Sequence, residues 1–128
     1  MFYFLSFYSS SVAFSTTSDC PYKIETKQSI RSKPSGWQTF KDQNSIHLLE
    51  FVDFYDGNPE KMVQLAPGNA ESKYDPVWTF VDTLEIWQVC RYSNSKVSLT
   101  KKLNSNIKTC SVKYSKKVRP HIKSVVCK

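Results

Sequence analysis

Apolar and polar residues alternate along most of the chain, and this pattern predicts short β-strands. It is clearest in residues 84–114, where the segments 96–103 and 107–114 alternate and follow a segment, 84–92, that is apolar on both faces and expected to be central; Ser-Asn-Ser and Asn-Ser-Asn separate the three. Asn and Ser favour tight turns because their side chains bond to nearby backbone. Period-two alternation places one face against a core and the other in water. We therefore predict a three-stranded C-terminal β-meander.

The same pattern predicts further strands at residues 20–31, 45–55, 61–66, 76–82 and 121–127, with turn residues between them. Residues 37–42 fit either a helical turn or a loop anchored by Trp37 and Phe40, and all three tryptophans are expected to pack in the core. Seven or eight short strands predict a mainly β fold, a single antiparallel β-sandwich or small barrel ending in the meander.

The first 18 residues resemble an export signal. Residues 2–8 form an apolar, aromatic run, serines and small residues follow, and cleavage after Ser15 fits the small residues at that point. No basic residue precedes the run, so an aromatic N-terminal strand is the alternative. We assign residues 1–18 to the export segment and 19–128 to a single β-rich domain, expected to be periplasmic or secreted. No apolar run reaches the ~18 residues that a membrane-spanning helix needs.

Four cysteines, Cys20, Cys90, Cys110 and Cys127, accompany this export-like start. An even count in an oxidising compartment favours two disulfides, with buried thiols as the alternative. In a meander, Cys90 and Cys110 would have Cα atoms ~12 Å apart, beyond the ~7 Å that a disulfide allows. A last strand paired with the third meander strand would place Cys127 beside Cys110 and leave Cys20 for Cys90.

Charge is distributed unevenly along the chain. All eleven acidic residues lie at or before Glu85, whereas residues 86–128 carry eleven Lys or Arg, so the net charge of +7 combines −4 and +11. Such a field attracts an acidic protein surface or an anionic polymer, although lysines also coat the wet face and edges of ordinary sheets. The candidate binding residues are the basic ones of this segment: Arg91, Lys96, Lys101, Lys102, Lys116, Lys117 and Arg119.

No spacing in the chain predicts catalysis or a metal site. The two histidines, His47 and His121, are far apart, and neither Cys-x-x-Cys nor Gly-x-Ser-x-Gly occurs. Asp53 and Asp56 lead into an Asp-Gly turn, where carboxylates are ordinary turn residues. Aromatic and basic residues interleave between Trp87 and residue 102 as in single-strand binders, but those aromatics are also the expected core. We expect no enzyme activity, no metal, no cofactor and no nucleic-acid partner.

One set of motifs resembles a family of small exported proteins of Gram-negative bacteria whose function is unknown. The motifs are Cys20-Pro21, Gly36-Trp37, Phe54-Tyr55-Asp56-Gly57 with Pro59, Leu65-x-Pro67, Trp78, and Ile86-Trp87-x-x-Cys90-x-Tyr92 followed by Val97-x-Leu99 and Cys110. Some members are encoded near type VI secretion clusters, so the resemblance implies a periplasmic binding role such as neutralising a secreted toxin. It supplies no catalytic residues.

Together these features predict an exported, non-enzymatic domain that binds a protein, with an immunity or inhibitor protein as the sharpest form of the hypothesis. The alternative is a binder of polyanions or cell-envelope polymers that uses residues 86–128.

Overall fold

The computed structural model describes residues 16–41, 45–68, 75–115 and 122–128. Within these ranges the regular structure is almost entirely extended, and the one helical element is a 3-10 turn at Pro59–Lys61. The strands are β1 (Thr16–Thr17), β2 (Lys23–Glu25), β3 (Ile46–Asp56), β4 (Val77–Thr79), β5 (Ile86–Tyr92), β6 (Ser98–Lys102), β7 (Thr109–Tyr114) and β8 (Ile122–Cys127).

The strands form two four-stranded sheets in which every pair is antiparallel. One sheet has the order β2-β3-β5-β6, the other has the order β1-β8-β7-β4, and both curl into a half-barrel. The predicted mainly β, antiparallel fold is therefore confirmed.

The core lies between the inner faces of the two sheets. Phe54 of β3 is fully buried, and its ring centroid lies 4.8 Å from that of Trp78 and 5.7 Å from that of Phe80. Val112 and Val125, on β7 and β8, are equally inaccessible. Tilted aromatic pairs at these separations add to the free energy gained by burying their area.

A β-bulge explains why β3 is apolar at both odd and even positions. Leu49 pairs with Tyr92 and Phe51 pairs with Arg91, so Glu50 is an extra residue in β3. The bulge reverses the alternation: Leu49 is buried before it, and Val52 is buried after it. Both halves of this central strand therefore contribute to one core.

The predicted meander is wrong in its pairing, although its three strands exist. β5 pairs with β6 as expected, but β7 pairs with β4 and β8 in the other sheet. The link between β6 and β7 crosses from one sheet to the other because Leu103 and Ile107 both pack against the core. Its ends are fixed by backbone bonds from Leu103 N to Ile86 O and from Phe80 N to Lys108 O.

Two predicted strands are shorter or absent. Of residues 20–31 only Lys23–Glu25 is a strand, and residues 61–66 contribute a single bridge from Gln64 to Tyr55. The chain instead turns at Pro59–Lys61, where the Asn58 side chain accepts a hydrogen bond from Glu60 N. Side-chain capping of this kind competes with strand pairing.

All four cysteines form disulfides, in the pairing that the sequence predicted. Cys110 and Cys127 are directly opposite on β7 and β8, with Cα atoms 4.1 Å apart. Cys20 and Cys90 have Cα atoms 5.9 Å apart, and their bond ties the N-terminal segment to central strand β5.

Residues 16–19, directly before Cys20, are integrated into the fold. Thr16 and Thr17 pair with β8, and the buried Ser18 hydroxyl donates to Gln88 Oε1 at 2.6 Å. Residues 1–15 lie outside the described residues, so the export segment and its cleavage after Ser15 stay predictions. No helix in the part of the chain that the structure describes is long and apolar enough to cross a membrane.

Candidate protein-binding surfaces

Three of the predicted basic residues, Lys96, Lys101 and Lys102, lie on or directly before an edge strand of the first sheet, and we call them the basic edge. Lys96 lies in the turn before β6, and Lys101 and Lys102 lie on β6, which is an edge strand. Lys101 is opposite Gln88 and Lys102 is opposite Trp87, so their side chains leave opposite faces of the strand. Charges on an edge strand also oppose unwanted strand pairing. Of the other four candidates, Lys116, Lys117 and Arg119 lie outside the described residues, and Arg91 lies on the internal strand β5.

Lys102 is the one of these lysines that forms an ion pair within the described residues. Its Nζ lies 2.7 Å from Glu85 Oε1, and the hydrogen bond to Lys102 followed by its positive charge lowers the pKa of Glu85. Both side chains are about half exposed, so the pair is screened by water and contributes little to stability. Lys96 and Lys101 are exposed and therefore better placed to attract a partner.

Arg91 is fixed by its neighbours on the outer face of the same sheet. Its Nε donates to Asp53 Oδ2 at 2.5 Å, and its Nη2 donates to the Tyr55 hydroxyl. The hydrogen bond to Asp53 and then the charge of that carboxylate raise the pKa of Arg91 against the effect of burial. Arg91 is thus a positioned cation whose side chain remains partly exposed.

An apolar row lies beside Arg91 along the outer face of β3. It consists of Ile46, Leu48 and Phe51, each about half exposed. Trp87, on the same face of β5, is half-buried, and its buried Nε1 has no hydrogen-bond partner within the described residues. The outer face therefore combines apolar area with a fixed charge, a composition typical of protein interfaces.

The most exposed aromatic residues lie on a long loop between β2 and β3, in a segment where the sequence predicted core packing. Trp37 is 72% exposed and Phe40 is 90% exposed, so the expectation that Trp37 packs in the core is wrong. Trp78 is buried as predicted, and its Nε1 donates to Leu65 O at 3.1 Å. We call residues 26–41 the aromatic loop.

The base of the aromatic loop is joined to the turn that carries Lys96. His47 is buried, and its Nδ1 donates to the carbonyl of Ser93 at 2.7 Å because a carbonyl oxygen can only accept. In the neutral ring, Nε2 accepts from the Thr26 hydroxyl, also at 2.7 Å. Both ring nitrogens are satisfied, so His47 acts as a structural clamp between two loops at one end of the sheet.

A shallow pocket of about 260 Å³ lies at the opposite end of that sheet, beside the β6–β7 link. Its carboxylates belong to Asp82 and Glu85, which pair with Lys108 and Lys102 respectively. Hydrogen bonds and positive charge from these lysines lower the pKa of both carboxylates. Both groups are therefore ionised at neutral pH and offer no general acid.

Among the described residues, no group of three His, Cys, Asp or Glu side chains is placed to hold a metal ion. Asp53 and Asp56 do not face each other as a catalytic pair: Asp53 pairs with Arg91, and Asp56 Oδ1 accepts from Glu85 N at 3.2 Å.

These features describe a small, disulfide-bonded β domain whose exposed surfaces present aromatic and basic side chains. Residues 41–128 match the family model described as type VI secretion system Tli immunity protein. The match covers more than two thirds of the chain, so the protein belongs to this family. Membership confirms the prediction of an immunity or inhibitor protein, and immunity proteins bind a partner toxin. Comparison with curated proteins and with solved structures finds no match.

The family match begins at Lys41. It therefore includes the basic edge and the apolar row but not β1, β2, Cys20 or residues 26–40 of the aromatic loop.

Proposed function

We propose that this immunity protein is exported and neutralises a type VI-secreted toxin in the periplasm by direct binding, without chemistry of its own. The observation that carries the proposal, beside family membership, is that all four cysteines are paired. Disulfides form and persist in oxidising compartments such as the bacterial periplasm. The leader-like first 18 residues support the same location.

Export is tested by intact mass spectrometry of the protein recovered from the periplasm of expressing cells. We expect a mass that lacks the leader and that gains four alkyl groups only when reduction precedes alkylation. A full-length mass with four free thiols would contradict the proposal.

The binding surface that we propose comprises the basic edge and Arg91, against an acidic surface of the toxin; the proposal extends to Lys116, Lys117 and Arg119, which lie outside the described residues. The three lysines of the edge are exposed, and Arg91, on the strand between them and β3, is paired with Phe51 of the apolar row. Rim charges of this kind mainly accelerate association, because they steer the partner before short-range contacts form.

The test uses the cognate secreted toxin, purified in an inactive form. Lys96→Glu/Lys101→Glu should slow association about tenfold at low salt, and the difference should shrink as salt rises. Lys113→Glu/Lys123→Glu is the matched control, since it makes the same charge change at exposed positions of the other sheet. Equal slowing by both pairs would show that net charge alone acts and would remove the basic edge as the docking surface.

A polyanion or envelope-polymer binder is the second candidate, and the +11 charge of residues 86–128 favours it. Such a protein would bind heparin and other anionic polymers alike, with an affinity that falls steeply as salt rises. Selective binding of the toxin at physiological salt, with no retention on heparin, would exclude this candidate.

A further inference from the structure

We propose that the aromatic loop anchors the complex by inserting Trp37 and Phe40 into a concave, acid-lined site of the toxin. This inference rests on the proposed function and names the element that holds the toxin once the basic edge has attracted it.

The first support is the exposure of large apolar side chains in one short segment. Trp37 and Phe40 are 72% and 90% exposed, and Ile30 of the same loop is 59% exposed. Large aromatic side chains bury about 150–250 Å² each and are the residues most enriched at the energetic centres of protein interfaces. In the free protein these side chains lie in water, and a partner that covers them gains the free energy of burying their apolar area.

The second support is the length and closure of the loop. Residues 26–41 follow β2 without a strand or helix, and the backbone N–H of Thr26 donates to Ser45 O at 2.9 Å across the base. Connections longer than about 12–15 residues without secondary structure are uncommon in compact domains and usually functional. His47 fixes this base to the Lys96 turn, so the loop projects from the end of the sheet where the edge lysines begin.

The third support is a turn that presents Trp37. The N–H of Trp37 donates to Pro34 O at 3.4 Å, and Gly36 has φ +88° at the third position of this turn. A positive φ at that position defines a type II turn and favours glycine. A loop that is partly rigid before binding loses less conformational entropy on association.

The chemistry of the partner site follows from the charge of the loop. Residues 26–41 contain Lys27, Arg31, Lys33 and Lys41 and no acidic residue, which gives +4. Aromatic side chains flanked by cations fit an apolar cleft with carboxylates at its rim. The site is concave because projecting loops reach surfaces that a flat sheet face cannot.

An anionic lipid surface also accepts aromatic and basic side chains. The protein site is the stronger inference because the chain belongs to a family of immunity proteins, whose partner is a toxin. The experiment therefore includes vesicles as a separate arm.

The test measures binding of the same inactive toxin to Trp37→Ala/Phe40→Ala. We expect toxin dissociation to accelerate about 100-fold while association changes less than threefold, because hot-spot residues act after the encounter. Met62→Ala/Val81→Ala is the matched control, since both side chains are exposed and neither lies in the loop. The melting temperature of both variants should equal that of the wild type, because no buried contact is removed.

Unchanged toxin binding by Trp37→Ala/Phe40→Ala would overturn the inference. The inference would also be overturned if this variant lost binding to phosphatidylglycerol vesicles but kept its affinity for the toxin, because the loop would then be a lipid anchor. Failure of the wild-type protein to bind the toxin at all would instead reject the proposed function, and this outcome is distinct from a loss confined to the loop variant.

Discussion

The two disulfides close loops of very different length, so each should stabilise the folded protein by a different amount. Cys20 and Cys90 are separated by 70 residues, and Cys110 and Cys127 are separated by 17. A crosslink lowers the entropy of the unfolded chain by about 2.1 + 1.5R ln n cal/mol/K. At 25 °C this stabilises the fold by about 4.4 kcal/mol for the long loop and about 3.1 kcal/mol for the short one.

The two loops do not overlap in sequence, so their contributions should add to about 7.5 kcal/mol. This sum is comparable to the whole stability of a typical domain, about 5–15 kcal/mol. We therefore expect the fully reduced protein to be largely unfolded, which would confine its activity to oxidising compartments.

The assay compares oxidised and reduced forms of single-disulfide variants. Cys110→Ala/Cys127→Ala retains the long loop, and Cys20→Ala/Cys90→Ala retains the short one. Comparing redox forms of one variant keeps its alanine substitutions constant, which matters because Cys110 and Cys127 are the more deeply buried pair. Guanidinium unfolding in a fixed concentration of trimethylamine N-oxide keeps the reduced forms folded at the start.

The free energy of unfolding should differ between the oxidised and reduced forms by about 1.3 kcal/mol more in the variant that retains the long loop than in the variant that retains the short one. An equal or larger difference for the short loop would refute the reasoning, because loop length would then not determine the stabilisation.

Three further predictions concern the core and the titrating groups. Phe54→Ala should lower the free energy of unfolding, measured in urea, by about 3–5 kcal/mol, because the ring is fully buried against Trp78. A decrease below about 1 kcal/mol would contradict this packing. Burial raises the pKa of Tyr114 above 10.0 in the folded protein. The contribution of Tyr114 to the free energy of unfolding is therefore complete below pH 10.0 and is lost as pH rises through the folded pKa. Tyr114→Phe should flatten the plot of unfolding free energy against pH in the alkaline range. The pKa of Glu85 is lowered in the folded protein, so ionised Glu85 stabilises the fold above its ordinary pKa of 4.5. This contribution is lost as pH falls through the folded pKa. The acid unfolding curves of the wild type and of Lys102→Gln should therefore converge at low pH.

The strands were predictable from sequence because the burial of alternate residues is a local pattern. Their pairing was not, as the link from β6 to β7 shows. Asn104 does form the predicted turn, with Ile107 N donating to its carbonyl at 3.1 Å and Asn106 N donating to its side chain. The strands on either side nevertheless enter different sheets. Turn chemistry fixes the direction of the chain over a few residues, whereas sheet membership depends on where Leu103 and Ile107 find the core.

The disulfide pairing was predicted correctly even though one premise was wrong. The exclusion of Cys90–Cys110 assumed that both cysteines lie in one meander, two strands apart, whereas they lie on strands of different sheets. The pairing of Cys110 with Cys127 depends only on the contact between β7 and β8, which the sequence did predict. With that bond formed, Cys20 and Cys90 were the remaining pair.

The candidate site was less predictable because it depends on neighbours that sequence spacing does not reveal. Arg91 was chosen for its charge, but its carboxylate partner is 38 positions earlier and reaches it through the register of β3 and β5. Trp37 was assigned to the core because tryptophan is usually buried. The signals against that assignment were present: residues 32–41 lack a periodic apolar pattern and contain Pro34 and Gly36, and residues 27–41 carry four cations without an acid.

The arrangement of the N-terminal segment explains how a long loop can project from a small domain without losing its position. Cys20 is bonded to Cys90, and the Tyr92 hydroxyl donates to Pro21 O at 2.7 Å. Both contacts lie on β5, so the chain enters β2 from a fixed point on the central sheet. On the other side of the loop, β3 begins within the same sheet and His47 clamps Thr26 to Ser93. These contacts fix the base of the loop, and Trp37 and Phe40 beyond it are exposed to a partner.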